Sequence, residues 1–170
     1  MGLFDRVFKK HKINSAFMKE KEYLKAKAHE KKAVDCSSGE IDGISLIEQY
    51  ENGLIDDKLF LCSFAKVKVF YSTPFGDHKD GGQRLFLLPA EKETAYLPVF
   101  TSENRIKEFY KKARRRNFLI MEGSFSSFLE TTKNINAGNT PIKLGVVIDP
   151  EYYGLTIGAN MLDAVLDMIK

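Results

Sequence analysis

Tyr96 to Met121 reads YLPVFTSENRIKEFYKKARRRNFLIM, and the way this stretch divides decides the fold. Its first part is an apolar run carrying Pro98 and its last part is the run FLIM. Between them Ile106, Phe109, Tyr110 and Ala113 recur at i, i+3, i+4 and i+7, the spacing that puts side chains on one face of an α-helix. The spacing predicts a helix from about Ser102 to Arg116, with Thr101 or Ser102 as its N-cap and Glu103 complementing the positive end of the helix dipole. The stretch therefore reads as strand, helix, strand. Pro98 cannot donate to a ladder, so its strand should be an edge, or carry a bulge, or turn the proline nitrogen outward.

Working downstream, Gly123 and Ser124 begin a helix carrying Phe125, Phe128 and Leu129, and KLGVVID is a continuous apolar strand. After the turn at Asp149 and Pro150, a last helix is predicted to place Ile157, Met161, Ala164, Val165, Met168 and Ile169 along one side. The unit from Phe118 to Ile148 has the form of a right-handed crossover between parallel strands. Upstream, RLFLLPA and AYLPVF form an antiparallel hairpin, and Val67, Val69 and Tyr71 alternate with Lys66, Lys68 and Phe70 as in a strand. Ile44, Leu46, Ile47 and Tyr50 make a short helical face that Gly53 can end in a left-handed conformation. The predicted class is α/β (α+β): a mixed β-sheet with helices packed on it, preceded by a basic N-terminal helical arm.

The arm is where the charge sits. The chain of 170 residues carries a net charge of +3, yet residues 1–34 hold ten Lys/Arg against four Asp/Glu, a net +6, which leaves −3 for the rest. The basic character thus belongs to the arm and gives no reason to read the main domain as a nucleic-acid binder. VDCSSGEIDG reads as a linker, so residues 1–40 are expected to be arm and linker and residues 41–170 the domain. Cys36 and Cys62 are too few and too far apart for a disulfide framework and read as reduced thiols. No apolar run reaches the roughly 18 residues needed to span a bilayer, and the N-terminus lacks a signal-peptide core. The expected setting is the cytoplasm.

VKVFYSTPFGD, the hairpin, LPVFTSENRIKEF, FLIMEGSFSSFLE and LGVVIDPEYYGLTI together resemble the SseB-type N-terminal domain, a bacterial module. The resemblance runs from about Ile44 to Ile169 and rests most on Leu97 to Thr101 with the following helix and on Ile148-Asp149-Pro150. Members more often show Asn where Asp149 stands, and many carry a second, C-terminal domain that is not seen in these residues. The resemblance implies an α/β domain in a bacterial cytoplasmic setting, acting in regulation or protein association, with no catalytic residues to carry over.

The residues supply little for catalysis. The histidines are His11, His29 and His78, no serine sits in a nucleophile elbow, and there is no phosphate loop or dinucleotide fingerprint. Asp77, His78 and Asp80 do not match a calcium loop and read as an exposed hairpin loop. No catalytic residue, metal site or cofactor is assigned. KKARRR, Lys111 to Arg116, wraps more than once around a helix, so it cannot face one phosphate surface, and its place at a helix C-terminus complements the dipole there. Lys9, Lys10, Lys12, Lys112 and Arg115 remain candidate basic contacts. Nucleic acid is not the expected partner, while residues 1–12, with Leu3, Phe4, Val7 and Phe8 at helical spacing, could touch a membrane surface. Ligands in open α/β sheets gather beyond the carboxyl ends of parallel strands. That points to a groove built from Thr101, Ser102, Glu122, Gly123, Ser124 and Asp149, although capping alone also accounts for these residues. The leading expectation is a non-enzymatic module that binds a protein through its sheet edge, this groove or the arm. Two alternatives are a membrane or nucleic-acid adaptor working through the arm and an enzyme with a small-molecule site at the strand ends.

Overall fold

The computed structural model describes residues 5–6, 42–73, 86–90, 94–115, 118–138 and 141–170. The elements are β1 (Asp5–Arg6), α1 (Gly43–Glu51), α2 (Asp57–Phe64), β2 (Lys68–Thr73), β3 (Leu88–Pro89), β4 (Thr94–Val99), α3 (Glu103–Lys112), β5 (Leu119–Ser124), α4 (Phe125–Ala137), β6 (Lys143–Ile148), β7 (Leu155–Ile157), a 3-10 turn at Ala159–Met161 and α5 (Leu162–Met168). Helices packed on mixed sheets make this an α/β fold.

The helices start and stop where their ends are chemically satisfied. Asp42 accepts from the Ile44 and Ser45 amides, Asp56 from Leu59, Ser102 from Arg105 and Ser124 from Ser127, each filling donors that have no intrahelical partner. Gly53 ends α1 at φ +69°, and the Leu54 amide reaches back to the Gln49 carbonyl at 2.9 Å, the backbone wrap of a Schellman ending. The same wrap ends α3 at Lys112, short of Arg116. Arg114 takes the left-handed position at φ +55° and Arg115 donates to the Tyr110 carbonyl at 2.8 Å.

The main sheet runs β1-β7-β6-β4-β3 and a separate ribbon pairs β2 with β5. β4 and β6 are parallel, in register Val99↔Ile148, and every other pairing is antiparallel. The crossover therefore joins β4 to β6 and contains α3, β5 and α4, in place of the expected crossover from FLIM to KLGVVI. β5 does not enter the parallel sheet because β2 takes it as a six-residue antiparallel partner. β3 and β4 form the predicted hairpin, Leu88 opposite Tyr96.

Pro98 explains how the ribbon joins the sheet. The Asp149 amide donates to the Val99 carbonyl, so Val99 turns its backbone toward β6 and Pro98, one residue back, turns its nitrogen the other way. On that side β3 pairs at Tyr96 and Ala95, and Phe70 of β2 exchanges both backbone hydrogen bonds with Phe100 at 2.8 Å. Pro98 lies in the gap between these partners, where no donor is required.

One core lies between the sheet and α1, α2, α4 and α5. It holds Ile47, Phe60, Phe64, Phe125 and Leu129 against Val69, Leu97, Val99, Val146, Ile148, Leu155 and Ile157. A second core, Phe100 with Ile106, Phe109 and Tyr110, puts α3 on the opposite face against Phe70, Phe86, Phe118 and Ile120. Three expectations are corrected here. Leu155–Ile157 is a strand hairpinned onto β6, because Gly154 turns the chain at φ +62° and the run that follows is short and buried on both faces. Of the stripe expected on the last helix, Val165 is buried and Met161, Met168 and Ile169 pack partly buried on the same core, but Ala164 is exposed and Leu162 and Leu166 complete the buried side. Asp5–Arg6, within the segment whose apolar spacing reads as helical, is extended and pairs with β7, whose outer edge would otherwise leave backbone groups unpaired. Among the described residues no helix is long and apolar enough to cross a membrane.

Candidate functional site

Two places on the fold concentrate unusual chemistry: the carboxyl ends of β4 and β6, and the outer edge of β5. At the first, Asp149 follows β6 directly and is fully buried, with φ +45°. Its side chain accepts from the Thr101 amide at 3.0 Å, the Thr101 hydroxyl at 2.7 Å and Arg105 Nη1 at 2.5 Å. Its carbonyl accepts the amides of Tyr152, Tyr153 and Gly154. Burial pushes the carboxyl up from its ordinary value, against the opposing pull of the Thr101 hydrogen bonds and of Arg105.

Arg105 completes the cluster from the first turn of α3. Its guanidinium also donates to the Thr101 hydroxyl, and it lies 4.4 Å from the Tyr152 ring centroid and 5.1 Å from that of Tyr153, a geometry that adds cation–π attraction. Its burial works against the charged form, and Asp149 together with Tyr153 more than offsets this, so the guanidinium is held charged. One turn further along α3 Glu108 accepts from the Tyr152 hydroxyl at 2.5 Å, and a turn beyond it Lys112 pairs with Glu151 at 2.6 Å. The junction is thus a latch that fastens α3 to the β6–β7 turn. Its carboxylate is occupied by internal donors, which leaves it no role as a ligand or proton acceptor for an incoming molecule.

Thr101, Ser102 and Asp149 are brought together here. Glu122, Gly123 and Ser124 are not, since they lie on β5 opposite Phe70, Val69 and Lys68, with β2 between them and Phe100. Each helix start is explained by its own cap. Lys112 is neutralised by Glu151, and Arg115 lies over the Phe86 and Tyr110 rings. Lys9, Lys10 and Lys12 fall outside the described residues, as do all three histidines and the loop with Asp77 and Asp80. Among the described residues no group of three His, Cys, Asp or Glu could hold a metal ion. Cys62 is half-buried, with its sulfur 3.5 Å from the Met168 carbonyl.

The second place was not singled out by sequence reasoning. β5 pairs with β2 alone, so among the described residues its other edge is free. Because Phe70 spends its backbone groups on Phe100, the residues of β2 that bond β5 are Val69, Tyr71 and Thr73, opposite Gly123, Met121 and Leu119. Alternation then points the amides and carbonyls of Ile120 and Glu122 outward. Leu119 and Met121 are 47% and 42% exposed, on the face opposite to Phe118 and Ile120. The signal available in the sequence is the run LIME, too short to reveal that its two faces are buried unequally.

Beside this edge, on the α3 face, lies a cleft of about 560 Å³ lined by Lys107, Lys111, Arg114, Arg115 and Phe118. Lys107 is bridged to Glu103, whereas no described carboxylate pairs with Lys111 or Arg114. No protein-family model matches the chain, and neither does any curated protein or solved structure.

Proposed function

We propose that the chain is a non-enzymatic interaction module of the SseB type, acting in the bacterial cytoplasm and taking up a protein partner along the edge of β5 that no described strand pairs. The single observation that carries this reading is that edge: outward-pointing backbone groups at Ile120 and Glu122 flanked by the exposed apolar side chains of Leu119 and Met121. Open apolar edges template strand addition, and folds that have no use for them blunt them with charge, proline or a covering element. The filled latch at Asp149 supports the non-enzymatic part, because a general base needs a free lone pair within reach of a substrate proton.

The test is a site-specific crosslink in the native cell. A photoreactive side chain at Met121 of the full chain should capture a discrete protein that the same probe at Lys170 does not. The double substitution Leu119→Lys with Met121→Lys should abolish partner capture while leaving the melting temperature within a few degrees, since both side chains are exposed. Equal capture from Lys170, or capture that survives the double substitution, overturns the reading.

A further inference from the structure

We infer that the partner segment taken up by β5 is an extended peptide in which apolar residues alternate with acidic ones, the acidic residues lying at the Phe118 end. This deepens the edge reading above and rests on it. A strand added about 4.8 Å outboard of β5 would point successive side chains to opposite faces of the ribbon. The two faces differ in kind. One presents Leu119 and Met121, exposed and apolar. The other carries α3 and the cleft of Lys107, Lys111, Arg114 and Arg115 beside Phe118.

Lys111 and Arg114 lack a described counter-ion, so an arriving carboxylate meets cations not already neutralised. Charge complementarity of this kind sets register and discriminates between partners more than it adds raw affinity. At the far end Glu122, on the α3 face, faces Lys68 at 3.8 Å, and a second carboxylate there would meet like charge. The acidic residues are thereby confined to the Phe118 half, with neutral polar residues in the other.

The same residues do not suit a membrane. Anionic lipid binding needs cations and apolar side chains on one surface so that both meet the interface together, whereas here they lie on opposite faces of one ribbon. A strand seated on the edge between the faces reaches both.

The experiment titrates the full chain into short fluorescent peptides followed by anisotropy. The reference peptide alternates Val with Glu in one half and Val with Thr in the other. The comparisons replace its Glu with Gln or with Lys, or methylate alternate backbone nitrogens, and anionic phospholipid vesicles serve as the competing surface. The Glu peptide should bind about tenfold tighter than the Gln peptide and the Lys peptide weakest, a preference that shrinks as salt rises. Lys111→Glu with Arg114→Asn, which keeps a residue tolerant of the left-handed backbone, should erase the preference.

Equal binding of the Glu, Gln and Lys peptides to the unaltered chain overturns the acidic partner. It leaves the edge reading standing provided backbone methylation still abolishes binding. Indifference to methylation overturns the edge reading and this inference with it. Vesicle binding lost in the double variant, with no peptide bound, overturns the inference in favour of a lipid surface. The peptide exchange on the unaltered chain decides the matter even if the double variant does not fold.

Discussion

Asp149 is the residue on which most depends, since one buried carboxylate receives three side-chain bonds while its backbone holds a left-handed turn. Asp149→Ala strands the Arg105 guanidinium and places an intolerant residue at φ +45°, and breaking a buried pair from one side typically costs about 3–5 kcal/mol. Asp149→Asn keeps the turn and a carbonyl acceptor, so urea unfolding should show a distinctly smaller loss. The pH dependence separates burial from pairing. Burial holds the folded carboxyl above its ordinary value of 3.8, so the folded state keeps its proton where the unfolded chain has released it. This group's stabilising contribution is complete below 3.8 and is lost as the pH rises through the raised folded value. The stability gap between the unaltered chain and D149N should accordingly narrow as the pH rises. A gap that widens instead would show that Arg105 outweighs burial.

At the scale of elements, the sharpest constraint is Gly145 in β6. A Cβ there would lie 2.6 Å from the Ile157 carbonyl oxygen and 2.8 Å from the Tyr96 ring, so β7 and the side chain of β4 close on it from two directions. Gly145→Ala should cost about 1–3 kcal/mol through overpacking, measured as a lowered urea midpoint with unchanged slope. Arg114 makes the opposite case. It occupies at φ +55° the position where helices favour glycine, and Arg114→Gly should stabilise by about 0.5 kcal/mol, relief of the backbone strain exceeding the added chain entropy. These elements show why the sequence was legible only in part. Helix α3 could be read because its apolar face, its Ser102 cap and its basic last turn all agree locally. Its length could not, because nothing in KKARRR announces that an arginine will adopt a glycine's conformation. The Thr101–Asp149 contact could be anticipated from the general position of strand ends. The Arg105 cluster depends on residues 44 positions or more apart in the chain and has no local signature. Ile157 fits the helical spacing of the residues after it, and Leu155-Thr156-Ile157 is too short for its own alternation to mark a strand.

For the molecule as a whole, the decisive feature is that two sheets meet at one bridge. The β2–β5 ribbon and α3 share the second core, and their backbone connection to β4 runs through Phe70 and Phe100 alone among the described strands. Parallel β4 and β6 lie inside the main sheet with helices over one face, so their amides should open only with global unfolding, whereas an edge ribbon draws on a smaller share of the total stability. Hydrogen exchange should therefore be slowest at Leu97, Val99 and Val146–Ile148 and faster throughout β5. Within β5 it should alternate. The amides of Leu119, Met121 and Gly123 bond β2 and are protected, while those of Ile120 and Glu122 point outward and exchange at nearly the rate of open chain. A bound strand makes its backbone bonds to those outward groups, so the Val–Glu peptide should slow Ile120 and Glu122 selectively and leave Leu119 and Met121 almost unchanged. Uniform protection of all of β5 would mean that the ribbon is stiffened from elsewhere, and no protection at Ile120 and Glu122 despite binding would place the peptide off the edge.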